Sequence, residues 1–73
     1  MPPKYIPKAP IKRMISEAGG ERISEGIVDM IGEMIEEYGI KLARKSILVS
    51  KFREDKTLRK KHLTAALNME TSN

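Results

Sequence analysis

The chain has 73 residues, with 14 Lys and Arg against 10 Asp and Glu, a net charge of +4, no cysteine and one histidine. That length holds one small domain, and the composition rules out disulfides and any zinc finger built on Cys or His ligands. With apolar residues at 40% and aromatics at 4%, so short a chain buries a modest share of its surface, which leaves a partner chain as the supplement to its core.

The charge is divided along the chain: the net is +3 over 1–22, −5 over 23–39, +7 over 40–61 and −1 over 62–73. An anion-binding surface therefore has to be assembled by folding from separated segments. Residues 1–9 contain Pro2, Pro3 and Pro7 with Lys4 and Lys8, a composition that predicts a short basic extended arm. A first helix is expected from Pro10, with Ile11, Met14, Ile15 and Ala18 on one face and Gly19-Gly20 as its stop. Ser24 is the expected N-cap of a second helix, where Glu25 and Asp29 favour the positive end of the helix dipole.

The second helix is predicted from about Glu25 to Phe52, with Ile27, Met30, Ile31, Met34, Ile35, Tyr38, Leu42, Val49 and Phe52 at helical spacing. At 1.5 Å per residue it is about 42 Å long, more than two short helices can cover. Its C-terminal half carries a second apolar side through Ile40, Ala43 and Ile47, so a second copy of the chain is the economical cover. Gly32, Gly39, Ala43, Ser46 and Ser50 fall along one line of this helix. A mid-helix glycine costs about 1 kcal/mol relative to alanine, so glycines on that line point to another backbone crossing closely. Two shorter helices broken at Gly39 would account for them too. Beyond a polar break at Glu54-Asp55-Lys56, Thr57-Leu58-Arg59 has the alternation of a very short strand, and Leu63, Ala66 and Leu67 have the spacing of a final helix. The domain so read covers 10–69, with 70–73 as a frayed polar tail.

No apolar run approaches the roughly 20 residues needed to span a bilayer, and the start lacks the apolar stretch of a secretory signal, so a soluble cytoplasmic protein is expected. No nucleophile, metal site or glycine-rich phosphate cradle is recognisable, so neither an enzyme nor a cofactor is expected. Glu36 and Glu37 point about 100° apart on a helix and read as solvated charge. Lys12 and Arg13 sit in the first turn of helix one, and Lys60 and Lys61 at the start of the last helix. Cations there oppose the helix dipole, a conflict that an external phosphate relieves. Tyr5, Tyr38 and Phe52 do not interleave with the basic residues, which favours duplex backbone over stacked single strands.

Three stretches, PKAPIKRMISEAGGERIS, MIEEYGIKLA and DKTLRKKHLTAAL, together resemble an archaeal histone from Pro7 to about Leu67. The resemblance implies an all-α histone fold of short helix, loop, long helix, loop and short helix, paired in a handshake dimer. Its long helices would cross antiparallel at Gly32, Met34, Ile35, Tyr38, Gly39, Leu42, Ala43 and Ser46, with each first loop beside the partner's second loop. In that register Arg22 enters the DNA minor groove and Lys56 with Thr57 meets phosphate. Lys12, Arg13, Arg59, Lys60 and Lys61 complete the DNA-contacting set. From the residues alone, Arg22 could instead pair with Glu21 or Glu25, and Thr57 could be a strand residue or a cap.

Two departures from the family pattern stand out. Where the family clamps a loop arginine to an aspartate of the last helix, this chain has Asp55 and His62, so either a charge-exchanged clamp, tighter when His62 is protonated, or an exposed His62 without a partner is expected. The family's dimer–dimer contact falls on Val49, Phe52, His62, Leu63 and Leu67, an apolar junction here that would allow tetramers or filaments. Gly19 matches a position where successive filament turns pack closely, although a C-cap glycine explains it equally well. The expected function is that of a nucleoid-associated histone that bends, wraps or compacts double-stranded DNA as a homodimer or with other histone-fold chains. The alternative is a histone-fold heterodimerisation subunit of a transcription or chromatin complex.

Overall fold

A computed structural model describes residues 3–71. Among them are three helices and no strand: α1 (Lys8–Glu17), α2 (Glu25–Phe52) and α3 (Lys60–Thr71). The short–long–short order is the expected one, and α2 runs unbroken through Gly39, which removes the reading of two shorter helices. α1 begins at Lys8, ahead of the expected Pro10, with Pro7 as an extended N-cap residue. Pro10 then occupies the first turn, where its missing N–H would have had no helical partner. The backbone of α3 stays helical to Thr71, past the start of the expected tail, while Ser72 and Asn73 lie outside the described residues. Thr57-Leu58-Arg59 forms no strand, because a strand needs a neighbouring edge to complete its ladder and a single chain offers none.

The chain falls into two compact units, Met1–Tyr38 and Gly39–Asn73. In the first unit Ile11 and Val28 are completely buried. A Cβ added at Gly32 would lie 2.6 Å from Ile11 Cδ1 and 2.8 Å from Pro3 Cγ, so the bare backbone at Gly32 is what lets α1 and the arm seat on α2. α1 ends in a Schellman motif: Gly20 N–H donates to Ile15 O and Gly19 N–H to Ser16 O, both at 3.0 Å. Gly19 takes φ +113° there, a conformation that disfavours any side chain. Ser24 caps α2 as expected, its Oγ accepting the Ile27 N–H at 3.4 Å.

In the second unit Ser46, Ser50 and Ala66 are buried, and the two hydroxyls donate to Leu42 O and Ile47 O of their own helix at 2.8 Å. α2 closes with the same motif as α1: Asp55 N–H donates to Ser50 O at 2.9 Å and Glu54 N–H to Lys51 O at 3.0 Å. The left-handed position is filled by Glu54 at φ 57°, a conformation that costs a non-glycine residue roughly 1–2 kcal/mol. Glu54→Gly is therefore expected to raise the melting temperature by about 4–8 °C, the shift that about 1 kcal/mol gives in a domain of this size. Thermal unfolding followed by circular dichroism checks it, and an unchanged or lower midpoint would refute the strain.

Candidate nucleic-acid interface

Loop one leaves α1 through the glycine pair and enters α2 at Ser24, which holds Arg22 between two fixed ends. Arg22 is exposed and makes no ion pair among the described residues. Glu25, one of its possible partners, is occupied: Lys12 Nζ lies 2.9 Å and Lys8 Nζ 3.1 Å from its carboxylate oxygens. Hydrogen bonds from Lys12 and then Lys8 hold the Glu25 carboxyl below its usual range. The Glu25 bond in turn raises Lys8 above the usual lysine range, with Asp29 Oδ1 adding to it at 3.2 Å. Lys12 is thus not a free cation awaiting phosphate, as expected from its place in the first turn. A phosphate that takes it must displace Glu25, whereas the neighbouring Arg13 is exposed and unpaired among the described residues.

Loop two is organised by Asp55. Its Oδ1 accepts the Thr57 N–H at 3.0 Å, and its Oδ2 lies 3.0 Å from Arg59 Nε. The Thr57 N–H is the main cause that holds the Asp55 carboxyl below its usual range, with Arg59 assisting against desolvation. Thr57 is therefore a turn residue with an exposed side chain, neither strand nor cap, and the Arg59 guanidinium is partly committed to Asp55. Lys56, Lys60 and Lys61 are exposed and carry no ion pair among the described residues. His62 is fully buried, which excludes the exposed histidine. Its Nδ1 accepts the Arg59 N–H at 2.9 Å, and its Nε2 lies 3.5 Å from Asp55 Oδ2.

Glu36, read from sequence as solvated charge, binds the arm instead. Its two carboxylate oxygens accept the N–H groups of Tyr5, Ile6 and Lys4 at 2.6, 2.7 and 2.8 Å. Desolvation pushes the Glu36 carboxyl up, but the Ile6, Lys4 and Tyr5 N–H groups together outweigh it and hold the group below its usual range. With its folded value depressed, this docking contributes stability above the ordinary carboxylate range and loses it as the pH falls through the depressed value.

The family described as histone-like transcription factors (CBF/NF-Y) and archaeal histones matches residues 4–67. This chain belongs to that family. A relative named "Probable archaeal histone 3" from Methanocaldococcus jannaschii is 36% identical over 62 residues, 85% of this chain and 92% of its own length. One of the subunits of the archaeal histone HAN1 from Thermococcus zilligii is 34% identical over the same share of each chain. Histone-fold proteins of this family bind DNA, form dimers and are in general not enzymes; its archaeal histones are chromosome associated. No helix among the described residues is long and apolar enough to cross a membrane.

Within this histone-fold chain the residues expected at the dimer crossing divide. Gly32 is buried against Ile11 and Pro3 of its own chain, and Ser46 is buried with its hydroxyl on Leu42 O. Packing against Ile11 and Pro3 within the chain already asks for a glycine at Gly32. Gly39 is different, with nothing within 4 Å of where a Cβ would stand. Met34, Tyr38 and Ala43 are exposed, and Ile35 and Leu42 half-buried. Of the residues expected between dimers, His62 is inside the chain and offers no surface, because it serves the first turn of α3. Phe52 is 90% exposed, and Val49, Leu63 and Leu67 are half-buried. Leu48 and Met69, which the sequence reading passed over, are exposed beside Phe52 in a groove also lined by Lys41, Lys45 and Arg53. Gly19 needs no filament contact to explain it, since its backbone conformation already requires glycine.

Proposed function

We propose that this chain is a chromosomal histone that pairs with a second copy of itself and bends or wraps duplex DNA with little sequence preference. In that dimer Arg22 enters the minor groove, and Arg13, Lys56, Thr57, Lys60 and Lys61 bind phosphate. The observation that carries the reading is Arg22, an exposed guanidinium on a short loop with no ion pair among the described residues, while Glu25, one of the two acidic neighbours that could have quenched it, is held by two lysines. A narrow groove concentrates negative potential, and a planar cation of this reach suits it. Lys12 and Arg59 join only by exchanging their carboxylates for phosphates.

Pairing is supported by how little one chain buries. Ile11, Val28 and Ala66 are its buried apolar residues among those described, while Met30, Met34, Leu48 and Met69 each leave 60% or more of their surface in water. Apolar surface of that extent marks an association face. The Phe52 groove is a candidate contact between dimers, and association with the nucleoid follows from the DNA-binding role.

The test is affinity for random-sequence duplex as a function of salt, which should fall by about 0.9 log units per log unit of salt for each phosphate contacted. Arg22→Ala is expected to weaken binding to every sequence alike, by about five- to tenfold, and to lower the slope by about one. Unchanged affinity would remove Arg22 from the interface. Because the family also includes CBF/NF-Y transcription factors, a heterodimerisation subunit is the second reading. A purified chain that folds only with another histone-fold protein would favour it.

A further inference from the structure

His62 is the buried polar side chain that DNA binding as described leaves without a task. It is the third residue of α3, and by accepting the Arg59 N–H at 2.9 Å it reaches back to the residue that precedes the helix. Glutamate or glutamine makes this bond in a capping box; here an imidazole does. An Nδ1 that accepts carries no proton, so the neutral ring holds its hydrogen on Nε2. Nε2 has no hydrogen-bond partner and is buried, and it lies 3.5 Å from the Asp55 Oδ2 that also binds Arg59. With the Thr57 N–H on Asp55 Oδ1, one network of Asp55, Thr57, Arg59 and His62 sets the shape of loop two.

We propose that His62 is a positioning residue that makes the grip of loop two on duplex DNA depend on pH: neutral, it caps α3 and holds the loop in its binding geometry, and protonated, it lets the loop go. The proposal rests on the DNA-binding reading above. A proton on Nδ1 turns the acceptor into a donor facing another donor, the Arg59 N–H, and the cap is lost. The new charge stands at the N-terminal end of α3, where the helix dipole opposes it together with Arg59, Lys60 and Lys61. Lys51 and Arg53 at the end of α2 and Lys56 in the loop add to the positive surroundings, with Glu54 and Asp55 opposing them. The Asp55 carboxylate lies 3.5 Å from Nε2, and it is already shared between Thr57 and Arg59. The clamp is therefore built for the neutral ring, the reverse of a charge-exchanged pair that tightens on protonation. The sign is diagnostic. A protein that merely gains a positive charge binds a polyanion more tightly as the pH falls, whereas a released loop binds it less tightly.

The experiment measures binding of the full chain to a random-sequence duplex at constant ionic strength as the pH is lowered from about 8 to about 5.5. The wild type is compared with His62→Gln, which keeps an acceptor at the same helix position and does not titrate, and circular dichroism follows the fold at each pH. Wild-type affinity is expected to fall about fivefold on acidification, the factor that loss of a helix cap represents, while His62→Gln stays level or rises. In the wild type, nitrogen spectra should show the Nε2–H tautomer at the upper pH, and the exchange protection of the Arg59 amide should drop with pH. Affinity that rises in both proteins, or falls equally in both, overturns the proposal and leaves DNA binding intact. Absence of wild-type binding at every pH overturns DNA binding itself, and the proposal with it. If His62→Gln does not fold, the wild-type tautomer and Arg59 protection decide, and a proton on Nδ1 at the upper pH refutes the cap.

Discussion

Leucine in place of Gly39 is expected to break the proposed homodimer. Within a single chain the substitution is harmless, because nothing lies within 4 Å of the added Cβ. It even favours the helix by about 0.8 kcal/mol, since glycine is the weaker helix former. A second backbone crossing at this point reverses the sign, for each copy then drives a four-carbon side chain into an occupied gap at about 1–3 kcal/mol. The dimer dissociation constant should rise at least tenfold, a shift that sedimentation velocity across micromolar concentrations resolves. A Gly39→Leu protein that keeps its dimer and melts at a higher temperature would place the crossing elsewhere.

Ile11→Ala should be the most destabilising single truncation. Ile11 is fully buried, and its Cδ1 fills the space left by the missing side chain of Gly32. Truncating a buried isoleucine to alanine costs about 2–5 kcal/mol, against about 0.5–1.5 for Ile11→Val. Total stabilities are only about 5–15 kcal/mol, so the alanine variant should lose much of its resistance to urea while the valine variant loses little. Equal midpoints for the two would show that the contact with Gly32 contributes no packing.

Much of the architecture was legible from local signals: the Gly19-Gly20 stop, the Ser24 cap and the long apolar periodicity through Phe52 all act within one or two turns. What sequence reading missed involves partners far apart in the chain. Glu36 looked solvated because the amides that bind it are about thirty positions away, and no residue type marks a carboxylate that will collect backbone N–H groups. Gly32 shares its helical line with Gly39, yet one meets α1 and the other has nothing among the described residues within 4 Å of an added Cβ; spacing along a helix fixes a direction and says nothing of what stands there. Lys12 was read from its place beside the helix dipole, and Glu25, which neutralises it, belongs to the next helix. Among the candidate DNA-binding residues, Arg13, Arg22, Lys56, Lys60 and Lys61 are exposed without an ion pair among the described residues. Lys12 and Arg59 are exposed too, and each is paired with a carboxylate that its own place in the sequence does not reveal.

The capture of three consecutive amides by Glu36 bears on how the protein is handled. A dye carried in place of the exposed Tyr5 side chain stands on backbone that Glu36 fixes to α2, and it should tumble with the helix. Fluorescence anisotropy of a dye placed there should therefore report the rotation of α2 itself, with no fast component from a swinging arm.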